Sequence, residues 1–426
     1  MEFLVVGLNH RTAPLEVREK ITLNSEQLPS ALSNMAEYGV PGVIVSTCNR
    51  SEFYALDLED GSDSPAEWGK GEKSIKDFLV DYFQIQLVDV ERYLYLHRGS
   101  ECVSHLFRVA ASLDSMMLGE DQIIGQVRNA FDTAVRSETV TGPLFHLFQQ
   151  ALRVGRKVRR ESGIGQNAMS VSRACVELAE GDLGDLSGLR AMVLGTGDAG
   201  GLAAKGLRSS GVSDITVVNR THHRAVALAK TLSGQAVPLP EMPQALRETD
   251  LVVACTGSPE YILGADLVSN AMASRPDRPM FLIDIAVPRD IDPAAGLVNN
   301  VFLHDVDDLD RVAEARRVES ANEAQQAEGL ISKETEGFLE WRLAQEALPT
   351  VIALRGKADT IRAQELKKTL RKMNPALSPE DAAALEAMTQ AIVKKILHGP
   401  TVYLKEHRNP SDLRTAREIF KLGDNE

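Results

Sequence analysis

The run Ala191-Met192-Val193-Leu194-Gly195-Thr196-Gly197-Asp198-Ala199-Gly200 constrains this fold more than any other stretch. A short apolar strand leads into Gly-x-Gly-x-x-Gly, and a helical pattern follows to about Ser209. The first glycine permits a tight turn, the second lets the main chain approach a pyrophosphate, and the third lets helix and strand pack closely. The helix N-terminus then faces the anion. Strands predicted at 214–218, 251–254 and 280–284 alternate with helices, which implies a parallel, doubly wound sheet. About 20 residues past such a loop, an NAD site places an acid at the end of the second strand. Here the chain reads Asn219-Arg220-Thr221. Arg220 suits a 2′-phosphate and no carboxylate opposes it, so NADPH is expected over NADH; the competing reading is a solvated arginine. Gly195, Thr196, Gly197, Asp198, Ala199, Gly200, Asn219, Arg220 and Thr221 are the cofactor-binding candidates. Cys255, at another strand end, is expected only to make room for the nucleotide.

The part before about residue 150 mixes strands and helices as an α+β pattern. Strands are predicted at 3–8, 42–46 and 52–56, and helices at 27–38, 74–83 and 102–111, with an exposed Gly/Asp/Glu/Ser-rich loop at 59–71. Ser46-Thr47-Cys48-Asn49-Arg50 follows the apolar stretch Val43-Ile44-Val45. A cysteine there is held rigidly yet exposed, and Arg50 either orients a carboxylate or favours the thiolate. The alternative is a cysteine that merely packs. Ser115, Glu120, Gln122 and Gln126 interrupt an apolar run and need partners if buried. His105, on an apolar helix, reads either as a core histidine or as an acid/base group.

Beyond about residue 308, Ala, Glu, Arg and Leu dominate. Residues 308–348 lack proline and are expected to form one long helix that Pro349 ends or kinks, with another at 379–398. A helical bundle at a chain end is a candidate dimerisation element. The net charge of −13 argues against polyanion binding over the whole surface, but Arg153, Arg156, Lys157 and Arg160 share one helix face. The four cysteines form no CxxC pair and no zinc-ligand spacing, so a reducing cytoplasm is expected and no metal. No segment approaches the roughly 18 apolar residues of a membrane span, and the start lacks a basic leader.

GLNHRTAPLEVREK (Gly7 to Lys20), STCNRSEFY (Ser46 to Tyr54), HLFRVAASLDSMMLGEDQIIGQV (His105 to Val127), GTGDAG, VVNRT and DIAVPRDI together resemble the glutamyl-tRNA reductase family. Two departures are small: Ala111-Ser112 replaces the commoner Ser-Gly or Ala-Gly, and Asp198-Ala199 replaces Glu-Met or similar. The resemblance implies a multidomain α/β protein: an N-terminal catalytic domain over 1–150, a Rossmann-type NADPH-binding domain over 151–307, and a long helix with a helical dimerisation domain over 308–426. It implies that Cys48 attacks the ester of glutamyl-tRNA, and that NADPH reduces the resulting thioester to glutamate-1-semialdehyde for tetrapyrrole synthesis. Thr47, Asn49, Arg50, Ser115, Glu120, Asp121, Gln122 and Gln126 would hold the glutamyl group, with Arg50 on its side-chain carboxylate and His105 as acid/base or orienter. The partners implied are glutamyl-tRNA, a second copy of the chain and, further, glutamate-1-semialdehyde aminomutase, with no DNA and no stable membrane insertion. Thiol and dinucleotide loop lie in separate parts, so a preset cleft or a closure is expected to bring reacting atoms to about 3–3.5 Å. Two rivals remain on the residues: a shikimate-dehydrogenase-like oxidoreductase acting on a free acid, and an NADPH-sensing RNA-binding protein.

Overall fold

The computed structural model describes residues 2–57, 69–165, 171–309, 312, 320–373, 378–406 and 410–422. The expected loop at 59–71 lies almost wholly outside them. The chain divides into two compact units, Met1–Ser332 and Lys333–Glu426.

Among its described residues, the first unit holds two sheets. The N-terminal one has four antiparallel strands in the order β2-β3-β1-β4, where β1 is Glu2–Asn9, β2 Gly42–Ser46, β3 Arg50–Asp57 and β4 Tyr95–Arg98. Helices Leu28–Glu37, Lys70–Phe83, Gly99–Ala110 and Gln122–Arg136 pack on it. Every residue of β3 is buried. A strand covered on both faces has no solvent side for a polar residue, so Arg50, Ser51 and Glu52 must find partners inside.

The second sheet is wholly parallel. It contains β5 (Arg190–Leu194), β6 (Asp214–Asn219), β7 (Gln235–Pro238), β8 (Leu251–Ala254), β9 (Met280–Asp284) and β10 (Val301–Asp305), in the order β10-β9-β8-β5-β6-β7. This is the doubly wound dinucleotide-binding order, with the strand reversal beside β5. Side chains alternate across it: Val193, Val217, Val253 and Ile283 enter one core, while Met192, Val218, Val252 and Leu282 enter another. Leu15, Met116 and Met117 of the N-terminal part join the first of these cores, so the two sheets share apolar packing.

Helix Gly142–Ser162 runs without interruption through the expected boundary at 150–151 and ends at Gly163, whose φ of +74° suits a helix terminus. Helix Ala321–Met373 continues through Pro349, and Pro379–Glu406 continues through Pro400. Pro349 therefore does not end its helix. The proline removes one backbone bond, but Ala347, Thr350, Val351 and Leu354 around it are all buried, and that packing holds the turn together. The expected helix start at Asp308 precedes residues 310–311 and 313–319, which lie outside the described residues. Among the described residues, no helix is long and apolar enough to cross a membrane.

Candidate active site

Cys48 sits at the tip of a two-residue hairpin loop. Ser46 pairs with Ser51 in the β2–β3 register, the Thr47 N–H donates to the Arg50 carbonyl at 2.8 Å, and Cys48-Asn49 make the turn. Neither turn residue has a positive φ, so this is not the primed turn that twisted hairpins favour. Thr47 compensates: its Oγ1 accepts the N–H groups of Asn49 at 3.1 Å and Arg50 at 3.2 Å. Two further groups fix the tip. The His10 N–H donates to the Asn49 carbonyl at 2.9 Å, and Arg18 Nη1 donates to the Cys48 carbonyl at 2.7 Å.

Behind the tip lies a buried ionic cluster. Arg50, Glu52 and Tyr54 share a strand face at i, i+2, i+4. Glu52, fully buried, accepts from Arg50 Nη1 at 2.7 Å, Tyr54 Oη at 2.7 Å and Tyr95 Oη at 2.6 Å. His105 Nε2 lies 2.9 Å from the same carboxylate. Burial alone would raise the Glu52 carboxyl, but Arg50, His105 and Tyr54 outweigh it and hold it well below the usual range. Arg50 Nη1 also reaches Asp114 Oδ2 at 3.0 Å, and Nη2 donates to the Asp114 carbonyl. Glu52, His105 and Asp114 offer ligand atoms within 4.8 Å of one another. The Arg50 guanidinium, bonded to both carboxylates, already supplies the cation between them.

A small cavity opens on the hairpin tip, lined by Thr47, Cys48, Asn49, Arg50, Ser115, Glu120, Gln122, Ile123, Gln126 and Val171. Seven of the eight glutamyl-binding candidates thus meet around Cys48. The eighth, Asp121, has a side chain 96% exposed and pairs with Arg159 outside the cavity. His105 does not line the cavity either; its ring is held between Glu52, Tyr95 and His97. Two polar atoms in the cavity residues are buried without a partner: the acceptor Asn49 Oδ1 and the donor Arg50 Nε. Since both Nη atoms of Arg50 are engaged, its end-on fork is taken, and the Nε edge is what it can still offer. Thr47 likewise spends its acceptor capacity on the turn and retains one O–H donor.

The electrostatics differ from the expectation at Cys48. The thiol is pushed up to about 11, by burial first and then by Glu120, against the opposing pull of Arg18 and Arg50. Arg50 does favour the thiolate, but desolvation wins. Glu120 is itself raised to about 7 by burial, over the lowering effects of Arg50, Arg159 and a Ser115 hydrogen bond. His10, with both ring nitrogens buried and unpartnered, is pushed down to about 3 by burial and then by Arg50 and Arg11, so it is neutral. Glu52, Asp114, Tyr95, His10 and Arg18 were not singled out from sequence. An acid two residues from Arg50 within an apolar strand was the available signal for Glu52.

The dinucleotide loop follows β5. Gly195 adopts φ +107°, and a Cβ there would lie 2.7 Å from the Cys255 carbonyl oxygen. A Cβ on Gly200 would lie 2.3 Å from Cys255 Sγ, so the cysteine side chain fills the space that a third glycine leaves. Gly197 precedes helix Asp198–Ser209 with open space on its Cβ side, which lets a diphosphate reach the first-turn N–H groups. The loop therefore fits a dinucleotide. Thr196 and Ala199 flank the cap, half-buried, while Asp198 is exposed. Asn219 Nδ2 donates to the Thr221 carbonyl at 3.1 Å, shaping the turn that leaves Arg220 exposed. Helix Gly142–Ser162 buries its apolar face and exposes Arg153, Arg156 and Arg160, with Lys157 half-buried.

Three family models match the chain: the N-terminal domain of glutamyl-tRNAGlu reductase over residues 6–162, shikimate/quinate 5-dehydrogenase over 177–312, and the dimerisation domain of glutamyl-tRNAGlu reductase over 326–422. The glutamyl-tRNA reductase of Thermodesulfovibrio yellowstonii is 38% identical over all of both chains. That of Moorella thermoacetica is 42% identical over 99% of this chain and 95% of its own. Among solved structures, glutamyl-tRNA reductase from Methanopyrus kandleri superposes with a TM-score of 0.52 at 30% identity, covering 99% of each chain.

Proposed function

The chain belongs to the glutamyl-tRNA reductase family, an oxidoreductase family of tetrapyrrole synthesis, and from that premise we propose that it converts glutamyl-tRNA to glutamate-1-semialdehyde through a thioester on Cys48, with NADPH as reductant. The observation that carries this reading is the cavity in which Cys48 meets Asn49, Arg50, Glu120, Gln122 and Gln126. A glutamyl ester brings an ammonium, a carboxylate and an acyl carbon. The unpartnered Asn49 Oδ1 and the Glu120 carboxylate suit the ammonium, and Arg50 Nε suits the carboxylate. An ammonium seated on Glu120 cancels the charge that helps hold the Cys48 thiol protonated, so the substrate activates its own nucleophile while Arg18 and Arg50 favour the thiolate.

Cys48 Sγ then bonds to the acyl carbon, the ester C–O bond breaks, and the tRNA 3′-oxygen departs with a proton. Gly195–Gly200 would hold NADPH and Arg220 its 2′-phosphate, and the cofactor would supply the hydride needed to reduce the thioester. The C–S bond breaks as the aldehyde forms, and Cys48 returns as thiolate. His105 orients the Glu52–Arg50 cluster that backs the hairpin, because its ring faces Glu52 rather than the cavity. The exposed cations on Gly142–Ser162 suit the tRNA backbone. The same reading keeps the three-part division into thiol, dinucleotide and helical parts, a cytoplasmic setting, and release of the aldehyde to an aminomutase. Exposed Ile352, Ile361, Ile392 and Ile396 in the C-terminal unit support a homodimer.

The test is a single-turnover assay with glutamyl-tRNA carrying labelled glutamate. Labelled protein without NADPH, chased to a small aldehyde when NADPH is added, is the expected result. NADPH binding with neither adduct nor aldehyde refutes it and favours the free-acid dehydrogenase or the NADPH-sensing RNA-binding protein.

A further inference from the structure

The segment Leu15–Ile21, a helical turn followed by a 3-10 turn, carries side chains that reach both halves of the first unit. Leu15 enters the core of the parallel sheet. Glu19 holds Arg289, in the loop after β9: its Oε1 accepts the Arg289 backbone N–H at 2.7 Å and Nε at 3.0 Å, and its Oε2 accepts Nη2 at 2.9 Å. Glu16 Oε1 accepts from Arg289 Nη1 at 3.3 Å. Between these acids stands Arg18, 2% exposed. One arm, Nη1, donates to the Cys48 carbonyl at 2.7 Å. The other, Nη2, pairs with Asp307, two residues beyond the end of β10.

Burying a guanidinium is expensive unless its donors are matched. Here one donor is committed to the nucleophile's own main chain and another to the exit of the dinucleotide-binding sheet. Resting on the reading of Cys48 as nucleophile, we propose that Arg18 is a positioning residue that ties the placement of the dinucleotide-binding half to the Cys48 hairpin, so that the acyl group is presented at the hydride donor only while the Asp307–Arg18–Cys48 bridge is intact. The Glu19–Arg289 clamp sets the neighbouring contact, and Arg18 carries its position to the thiol. The cleft is thus preset by one short segment. Attack on the ester needs only the hairpin and its cavity; reduction also needs the two halves in register, and a misplacement of about 1 Å slows transfer by up to about a hundredfold.

The two half-reactions separate these demands in the full chain. Asp307→Asn alters a carboxylate whose side chain is 39% exposed, so folding is retained. It should leave adduct formation without NADPH within about twofold of the parent while slowing NADPH-dependent chase of the preformed adduct by about tenfold or more. Arg18→Met should slow both steps, Arg18→Lys should recover adduct formation better than reduction, and Asp307→Asn added to Arg18→Met should slow reduction no further. Equal slowing of both steps by Asp307→Asn, no slowing of either, or additive losses in the double variant overturns the proposal. A failure of the Cys48 reading looks different: Cys48→Ser would still form adduct. The bridge is then decided by iodoacetamide, which needs no substrate. Arg18→Met should move the pH midpoint of Cys48 alkylation upward while Asp307→Asn leaves the alkylation rate within about twofold of the parent, and an unchanged profile in Arg18→Met refutes the bridge.

Discussion

Replacing Glu52 with glutamine tests whether the buried cluster holds the N-terminal sheet together. Glu52 is fully buried and takes hydrogen bonds from Arg50, Tyr54 and Tyr95, with His105 at 2.9 Å. Glutamine keeps the shape but removes the charge and replaces one acceptor oxygen with a donor, which opposes the groups now donating there. Breaking one side of a buried ion pair costs about 3–5 kcal/mol; Arg50 keeps Asp114, so the lower figure applies, about 3 kcal/mol. At about 1.4 kcal/mol per decade, that is roughly a hundredfold rise in local opening. Cys102, on the helix Gly99–Ala110 and fully buried, reports that opening through its labelling rate by a thiol reagent, read by peptide mass spectrometry. Cys175, buried in the core of the parallel sheet, is the internal control. The sign with pH is fixed: a carboxyl held below its unfolded value stabilises above that value and loses the contribution as pH falls. The parent's advantage should be flat from about pH 6 to 8 and shrink below about pH 4.5. A rise in Cys102 labelling below about fivefold, or an equal rise at Cys175, refutes the assignment.

Cys48→Ser should fold as the parent does and lose both adduct formation and reduction; retained reductase activity removes Cys48 as nucleophile. Arg220→Asp should weaken NADPH by about tenfold or more while changing NADH little, measured by fluorescence titration, and equal effects on both would remove Arg220 from the 2′-phosphate. Burial lifts Glu120 from 4.5 to about 7, so the folded state holds that proton more tightly than the unfolded chain. The parent should therefore lose thermal stability relative to Glu120→Gln as pH rises from about 4.5 to about 7, then run parallel to it; a gap independent of pH contradicts the buried carboxyl.

Much of the dinucleotide half was legible because its signals are local. Apolar runs of four or five residues marked β5, β6, β8 and β9 to within a residue or two, with Gly, Asn or Asp closing β5, β6 and β9, and the glycine spacing fixed the turn after β5. The Cys48 cavity was legible as a set of residues but not as a geometry. Nothing local shows that Arg50 turns its fork toward Glu52 and Asp114, because those partners come from the strand interior and from 64 residues along the chain. Arg18 escaped for the same reason: its partners lie 30 and 289 residues away. Strand β4 was missed because Tyr95–Arg98 is only half-buried and lacks an apolar run. The departure at Ser112 has a structural address: the residue adopts φ +63°, where glycine is favoured, and its Oγ donates to the Met117 carbonyl at 3.2 Å. That bond offsets part of a left-handed strain of about 1–2 kcal/mol.

The cysteine wedged under the dinucleotide loop makes two distant positions trade volume. Because Cys255 Sγ stands where a methyl on residue 200 would go, the third glycine answers to its neighbour across the crevice as well as to the nucleotide. A drift to alanine at 200 forces Cys255 Sγ to rotate off the Leu194 carbonyl or residue 255 to shrink, and a return to a larger side chain at 255 is disfavoured once that alanine is fixed. The pair therefore biases the order of substitutions, and sequences diverging from this one should show alanine at 200 together with glycine or alanine at 255 more often than alanine at 200 beside a cysteine.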